Sequence, residues 1–134
     1  MVAFRCYNPS DIERRGFHAW YDGLSPDFQA AVDVELRLAE RDRSLEESGR
    51  FKSLRGRCRG LTEILVDFVI DRDDATRSEE IHLRILGFGT ANDFVLLLGF
   101  RKRGGSDYGP ACHSAHDRKR GVERNGRRAR PCRF

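Results

Sequence analysis

Phe94-Val95-Leu96-Leu97-Leu98-Gly99-Phe100-Arg101-Lys102-Arg103 decides how the rest of the chain is read. Six of its first seven residues are apolar, the other is glycine, and three cations follow in succession. The apolar run is far shorter than the roughly 20 residues a membrane-crossing helix needs, and it suits a strand buried on both faces. Such a strand carries positive charge to one defined edge of a sheet.

Working outward, residues 61–70 are rich in β-branched and apolar side chains and predict a strand. The polar residues 71–78 read as a hairpin loop, and residues 81–88 alternate well enough for a second strand. Residues 89–93 form a turn that leads into the quoted stretch. Three successive strands joined by hairpin-length loops predict an antiparallel meander, with residues 2–7 adding a fourth strand.

Ser10 and Glu13 have capping-box spacing. Ile12, Phe17, Trp20 and Tyr21 continue near helical spacing, predicting a helix to about Asp22. Ser25-Pro26 opens a second helix to about Arg43, with Phe28, Ala31, Val32, Leu36 and Ala39 on one stripe. Residues 51–54 read either as a helical turn or as a docking loop, and residues 111–122 as a short helix after Pro110. The expected fold is α+β: an N-terminal helix hairpin packed on one face of a small, mainly antiparallel sheet. Residues 1–120 are expected to form the domain, and residues 121–134, almost devoid of apolar side chains, a flexible basic tail.

Charge is distributed unevenly. Of 25 Lys and Arg residues, 11 lie in residues 101–134, which hold only 3 of the 21 acids. The end therefore carries a balance of +8 and the body −4, although the whole chain is only +4. This asymmetry suits a polyanionic partner. The tail lacks the bulky apolar residues that a membrane-surface segment would interleave, so no membrane partner is expected. Cys6, Cys58, Cys112 and Cys132 are scattered without a CxxC pair, and residues 1–7 lack a signal-peptide apolar stretch. They are expected to be thiols in a reducing cytoplasm. His113 and His116 with Cys112 and Cys132 match no compact zinc spacing, so neither a metal nor a cofactor is expected.

The order of pieces then becomes distinctive: Lys52-Ser-Leu54; Gly60-Leu61-Thr62-Glu63-Ile64; Leu83-Arg84-Ile85-Leu86; Leu97-Leu98-Gly99-Phe100-Arg101-Lys102-Arg103; Pro110; and Ala115-x-x-Arg118. Over residues 15–118 this resembles the RelE/ParE toxin superfamily, and within it the HigB branch of phage-derived RelE-like proteins. The resemblance implies the toxin of a type II toxin–antitoxin pair, a metal-independent endoribonuclease that cleaves mRNA, usually on the ribosome. It implies a helix-turn-helix antitoxin as partner and either a homodimer or a toxin–antitoxin hetero-oligomer. The alternative is a ParE-like or degenerate member that grips a protein or nucleic acid without cutting.

Mapped by motif, Arg84 and Lys102 take the family's basic sheet positions, flanked by Arg101 and Arg103. Lys52 and Arg55 are placed to hold phosphates. Tyr108, His113 and His116 fall where the family often puts an acid/base residue, with His116 the chosen proton carrier and Arg118 a further substrate contact. Clustered cations can stabilise the phosphorane formed when a 2′-OH attacks, and a side chain of tuned pKa can move the protons. Leu65 and Leu83 stand where the family carries Arg and Tyr. Arg84 has a second reading, as an ion-pair partner of Glu63 or Asp67 on a neighbouring strand. His82 reads as a surface strand residue.

Overall fold

In β4 (Ser78–Gly89), Ile81, Leu83 and Ile85 alternate with His82, Arg84 and Leu86, so the strand presents two different faces. A computed structural model describes residues 3–9, 16–41, 49–71, 77–91 and 93–133. β4 pairs antiparallel with β3 (Thr62–Asp71) from Thr62↔Gly87 to Asp71↔Ser78, and with β5 (Asp93–Arg101) on its other side. This is the meander expected from the periodicity. β1 (Ala3–Tyr7) lies parallel to β5, and β2 (Phe51–Ser53) lies antiparallel to β3. With β6 (Ala129–Pro131), the described residues form a six-stranded sheet in the order β2-β3-β4-β5-β1-β6.

The architecture is α+β, and the sheet is covered on both faces rather than one. The first face carries Ile64, Val66, Ile81, Leu83, Ile85, Phe94 and Leu96. Phe17 from α1 (Phe17–Asp22) and Val32, Leu36 and Ala39 from α2 (Pro26–Glu40) close over them. Pro26 sits in the first turn of α2, where its missing N–H costs nothing. Tyr21 Oη donates to Asp33 Oδ1 at 2.7 Å, tying the two helices. The capping-box pair Ser10 and Glu13, and the polar loop between β3 and β4, lie at least partly outside the described residues.

The second face carries Leu61, Leu86, Phe88, Val95, Leu97 and Leu98 against Cys112, Ala115 and Val122 of α3 (Tyr108–Arg124). The helix expected over residues 111–122 is present, extends to Tyr108 and Arg124, and lies on the face opposite the other two helices. The helix begins at Tyr108 because Pro110 falls within its first turn, where proline is tolerated.

One irregularity sets the phase of the quoted stretch. Leu86 pairs with Leu98 but Gly87 pairs with Leu96, so Leu97 is the extra residue of a β-bulge. Phe94 and Leu96 point to the first face before it, and Leu98 and Phe100 to the second face after it. Gly99 then faces α1. A Cβ there would lie 2.3 Å from the Trp20 ring, so only glycine admits the indole.

Three expectations are corrected. The cysteines are not thiols: Cys6 pairs with Cys132 and Cys58 with Cys112, across sequence separations of 126 and 54. Neither spacing is visible along the chain, because the fold alone brings the partners together. The C-terminal residues are not a free tail either. Residues 121–124 complete α3, β6 pairs antiparallel with β1, and Asn8 N donates to Arg128 O at 2.7 Å. Among the described residues of this segment, Val122 and Ala129 are buried, and backbone pairing supplies what composition lacks. Residues 51–54 likewise begin as strand β2, neither helix nor free loop. Among the described residues no helix is long and apolar enough to cross a membrane.

Candidate functional site

α3 covers only the end of the second face that holds Leu86, Phe88, Val95 and Leu97. Toward the other end the same face presents Glu63, Leu65 and Asp67 from β3, His82 and Arg84 from β4, and Phe100 from β5. Lys102 follows β5, and its backbone N donates to His82 O at 2.8 Å, which keeps the two residues side by side. Tyr108, at the start of α3, closes the group.

Arg84 is the centre of it. Its Nη1 donates to Asp67 Oδ1 at 2.6 Å and to Leu83 O at 2.9 Å, and its Nε lies 4.0 Å from Glu63 Oε2. Arg84 is 5% exposed and Glu63 3%, so a charge of each sign is buried here. Burial alone would lower the guanidinium pKa, but the hydrogen bonds and charge of Asp67 and the contact with Tyr108 raise it instead. Tyr108 Oη donates to Glu63 Oε2 at 2.7 Å. Burial and then this carboxylate push the phenol above its ordinary value, so Tyr108 stays a proton donor at neutral pH. Its ring packs edge-on against Phe100 at 5.4 Å, and Lys102 Nζ stands 5.5 Å from the ring centroid.

Asp67 is shared. His82 Nδ1 lies 2.8 Å from the same Oδ1 that Arg84 holds, while His82 Nε2 is 3.6 Å from Glu80 Oε2. Partial burial would raise the Asp67 pKa, but the hydrogen bonds from Arg84 and His82 outweigh it and hold the carboxyl below its usual range. An imidazole oriented by a carboxylate has the arrangement of a proton-transfer group.

The structure thus brings together three of the sequence-derived site residues, Arg84, Lys102 and Tyr108. Lys52 joins their margin, opposite Glu63 in the β2–β3 register, and Arg103 lies one residue beyond Lys102. Arg55 is exposed, just before the turn Gly56–Cys58. Four others are elsewhere. Arg101 falls on the first face, where Nη2 donates to Glu79 Oε1 at 2.7 Å and the guanidinium covers the Phe28 ring. His116 Nε2 contacts Arg57 O at 2.8 Å, one helical turn from the Cys58–Cys112 disulfide, and has a pinning role. Arg118 donates to Leu97 O at 2.7 Å, the carbonyl of the bulge residue, and stacks on Tyr7. Burial lowers its pKa. His113 stands on the exposed side of α3, 3.7 Å from Asp117.

Glu63, Asp67 and His82 are the site members the sequence reading did not select. The available signal was the even register of two adjacent strands, which sets Asp67 opposite His82 and places Arg84 between Glu63 and Asp67. A depression of about 610 Å³ lies at the far end of the second face, by Leu54, Gly60, Thr62, Gly89 and Lys119. Among the described residues lining it, the charged side chain is Lys119, which donates to Gly60 O. No protein-family model matches the chain, and no curated protein is similar to it.

Proposed function

We propose that this chain is a RelE/ParE-type toxin, within the HigB branch, acting as a metal-independent endoribonuclease on mRNA at the ribosome. The observation that carries the reading is the grouping of Lys102, Tyr108 and the Asp67–His82 pair around buried Arg84, from β3, β4, the end of β5 and the start of α3. His82, oriented by Asp67, takes the proton of the attacking 2′-OH. The 2′-oxygen–phosphorus bond forms as the phosphorus–5′-oxygen bond breaks. Lys102 stabilises the phosphorane charge, and Tyr108, held protonated, returns a proton to the leaving oxygen. Arg84 is too enclosed to grip a phosphate and positions Asp67 and Glu63 instead. Lys52, Arg55 and Arg103 line the approach as exposed cations. His82 therefore takes the proton-carrying role that the resemblance implied for His116.

The proposed setting is the bacterial cytoplasm, with a helix-turn-helix antitoxin as partner, in a homodimer or hetero-oligomer. One observation favours the second reading, a member that binds without cutting: Arg84 is already engaged by two carboxylates. The experiment is induced expression in a bacterial host with mRNA integrity followed over minutes, repeated in vitro with a chelator present. Growth arrest with mRNA cleavage is expected from the wild type. Lys102→Ala should cut about 10²–10³-fold more slowly, and His82→Ala about 10²–10⁴-fold. Arrest with intact mRNA moves the assignment to binding without cleavage. Normal growth with intact mRNA overturns both readings.

A further inference from the structure

We propose that, once its Cys6–Cys132 bond is reduced, the chain binds one Zn²⁺ through Cys6, Cys132 and His18. The proposal is independent of the nuclease reading. The three residues come from β1, from the segment after β6 and from α1, and their ligand atoms all lie within 4.8 Å of one another. His18 Nε2 accepts a hydrogen bond from Arg133 N at 3.1 Å, which sets the ring beside Cys132, and coordination through Nε2 would exchange that bond for the metal. Around tetrahedral Zn²⁺ the ligand atoms are spaced about 3.5–3.8 Å apart, so side-chain rotations on the order of 1 Å convert this grouping into a site. A disulfide and a metal are alternative uses of the same two sulfurs. Three protein ligands leave a fourth position, which faces a depression of about 280 Å³ bordered by Asn8, Arg130 and Arg133.

The local charges fit. Arg130 and Arg133 border the depression. Two thiolates and one Zn²⁺ sum to zero, so the loaded site is not repelled by the arginines. In a cell a dithiol donor would supply the two electrons and two protons that open the bond, and would leave as a disulfide. Metal binding then releases the two thiol protons. The consequence is structural: β6 stays latched to β1 in both redox states, by a disulfide when oxidised and, when reduced, by a metal that also ties in α1.

The test uses the full chain reduced with a trialkylphosphine, which passes two electrons to the S–S bond and takes oxygen from water, leaving water's protons on the sulfurs. After removal of metal, Co²⁺ is titrated and then displaced with Zn²⁺, in the wild type and in a Cys58→Ser/Cys112→Ser background. One Co²⁺ per chain with a thiolate charge-transfer band is expected, lost on adding Zn²⁺. Zn²⁺ should also shield Cys6 and Cys132 from alkylation while Cys58 and Cys112 react. His18→Ala should weaken binding by more than the roughly 10–100-fold that losing an outer-shell partner costs. Its oxidised form keeps the disulfide, and an unchanged circular dichroism spectrum there separates ligand loss from unfolding. The proposal is overturned by the lack of a charge-transfer band, by equal affinity in His18→Ala, or by alkylation of Cys6 and Cys132 that Zn²⁺ does not slow.

Discussion

The two faces of the sheet come from the same strands and reach different ends. On the first face, alternation runs from Phe94 and Leu96 across to Ile85 and Ile64, and two helices close over these residues. Its charged groups, Arg101 and Glu79, pair at its half-exposed margin. On the second face, one helix covers the end around Leu86, Phe88, Val95 and Leu97, and the other end places Arg84 and Glu63 under cover beside Asp67, His82, Lys102 and Tyr108. The contrast teaches that a chain can seal a core and build a reactive surface with one set of strands, provided the helical cover stops short on one side. The bulge at Leu97 then decides which cation of Arg101-Lys102-Arg103 joins which side.

The sharpest way to break the contrast is Arg84→Met. It strands Glu63 and Asp67 without their guanidinium and should cost about 3–5 kcal/mol. The readout is a urea midpoint that falls while the slope of the transition holds steady. Arg101→Ala, the matching change on the first face, should cost no more than about 1 kcal/mol, because its pair is half-exposed. Equal losses would erase the difference between the faces.

Opening the Cys6–Cys132 bond acts on the sheet edge common to both faces. The bond closes a very long loop, so Cys6→Ser should lower stability by about 2–5 kcal/mol under oxidising, metal-free conditions. Hydrogen exchange at β6 should accelerate more than at β4.

Gly99→Ala tests the bulge from the first face. The added methyl meets the Trp20 ring and should cost about 1–3 kcal/mol in thermal or urea denaturation. A neutral result would mean that the indole has room to retreat.

The smallest effects are titrations, one on each side. The Asp67 pKa is depressed in the folded chain, so its contribution is present above the ordinary Asp value and is lost as pH falls through the folded one. Asp67→Asn should flatten the acid limb of a stability profile. On the first face, burial and then the Asp33 bond push Tyr21 up to about 12. Its contribution is complete below the ordinary tyrosine value and fades as pH rises from there toward about 12. Tyr21→Phe should remove that alkaline slope, measured by denaturation across the same range.

Much of the scaffold was legible along the chain. β3, β4 and β5 announce themselves by period and composition, and the Ser25-Pro26 start of α2 by its cap chemistry. The candidate site was legible in part. Arg84 and Lys102 stood out as cations on core strands, and Tyr108 by its position. Glu63 and Asp67 were visible only as alternative partners for Arg84, because a carboxylate on a strand looks the same in sequence whether it meets water or a guanidinium. His116 misled for the converse reason, since a helical histidine shows nothing of the carbonyl it will contact.

By itself the sequence determined the main local elements: that the segments of β1, β3, β4 and β5 extend, that those of the three helices coil, and that a buried strand ends in three cations. Those follow from side-chain period and backbone preference, which act over a few residues. Tertiary structure alone decided the rest. Leu96, Leu97 and Leu98 are chemically alike, so nothing local marks Leu97 as the bulge that sends Lys102 to one face and Arg101 to the other. The cysteine pairs and the pairing of β6 with β1 likewise join residues far apart in the chain. Such contacts depend on where the whole sheet brings the backbone, which no short window of residues records.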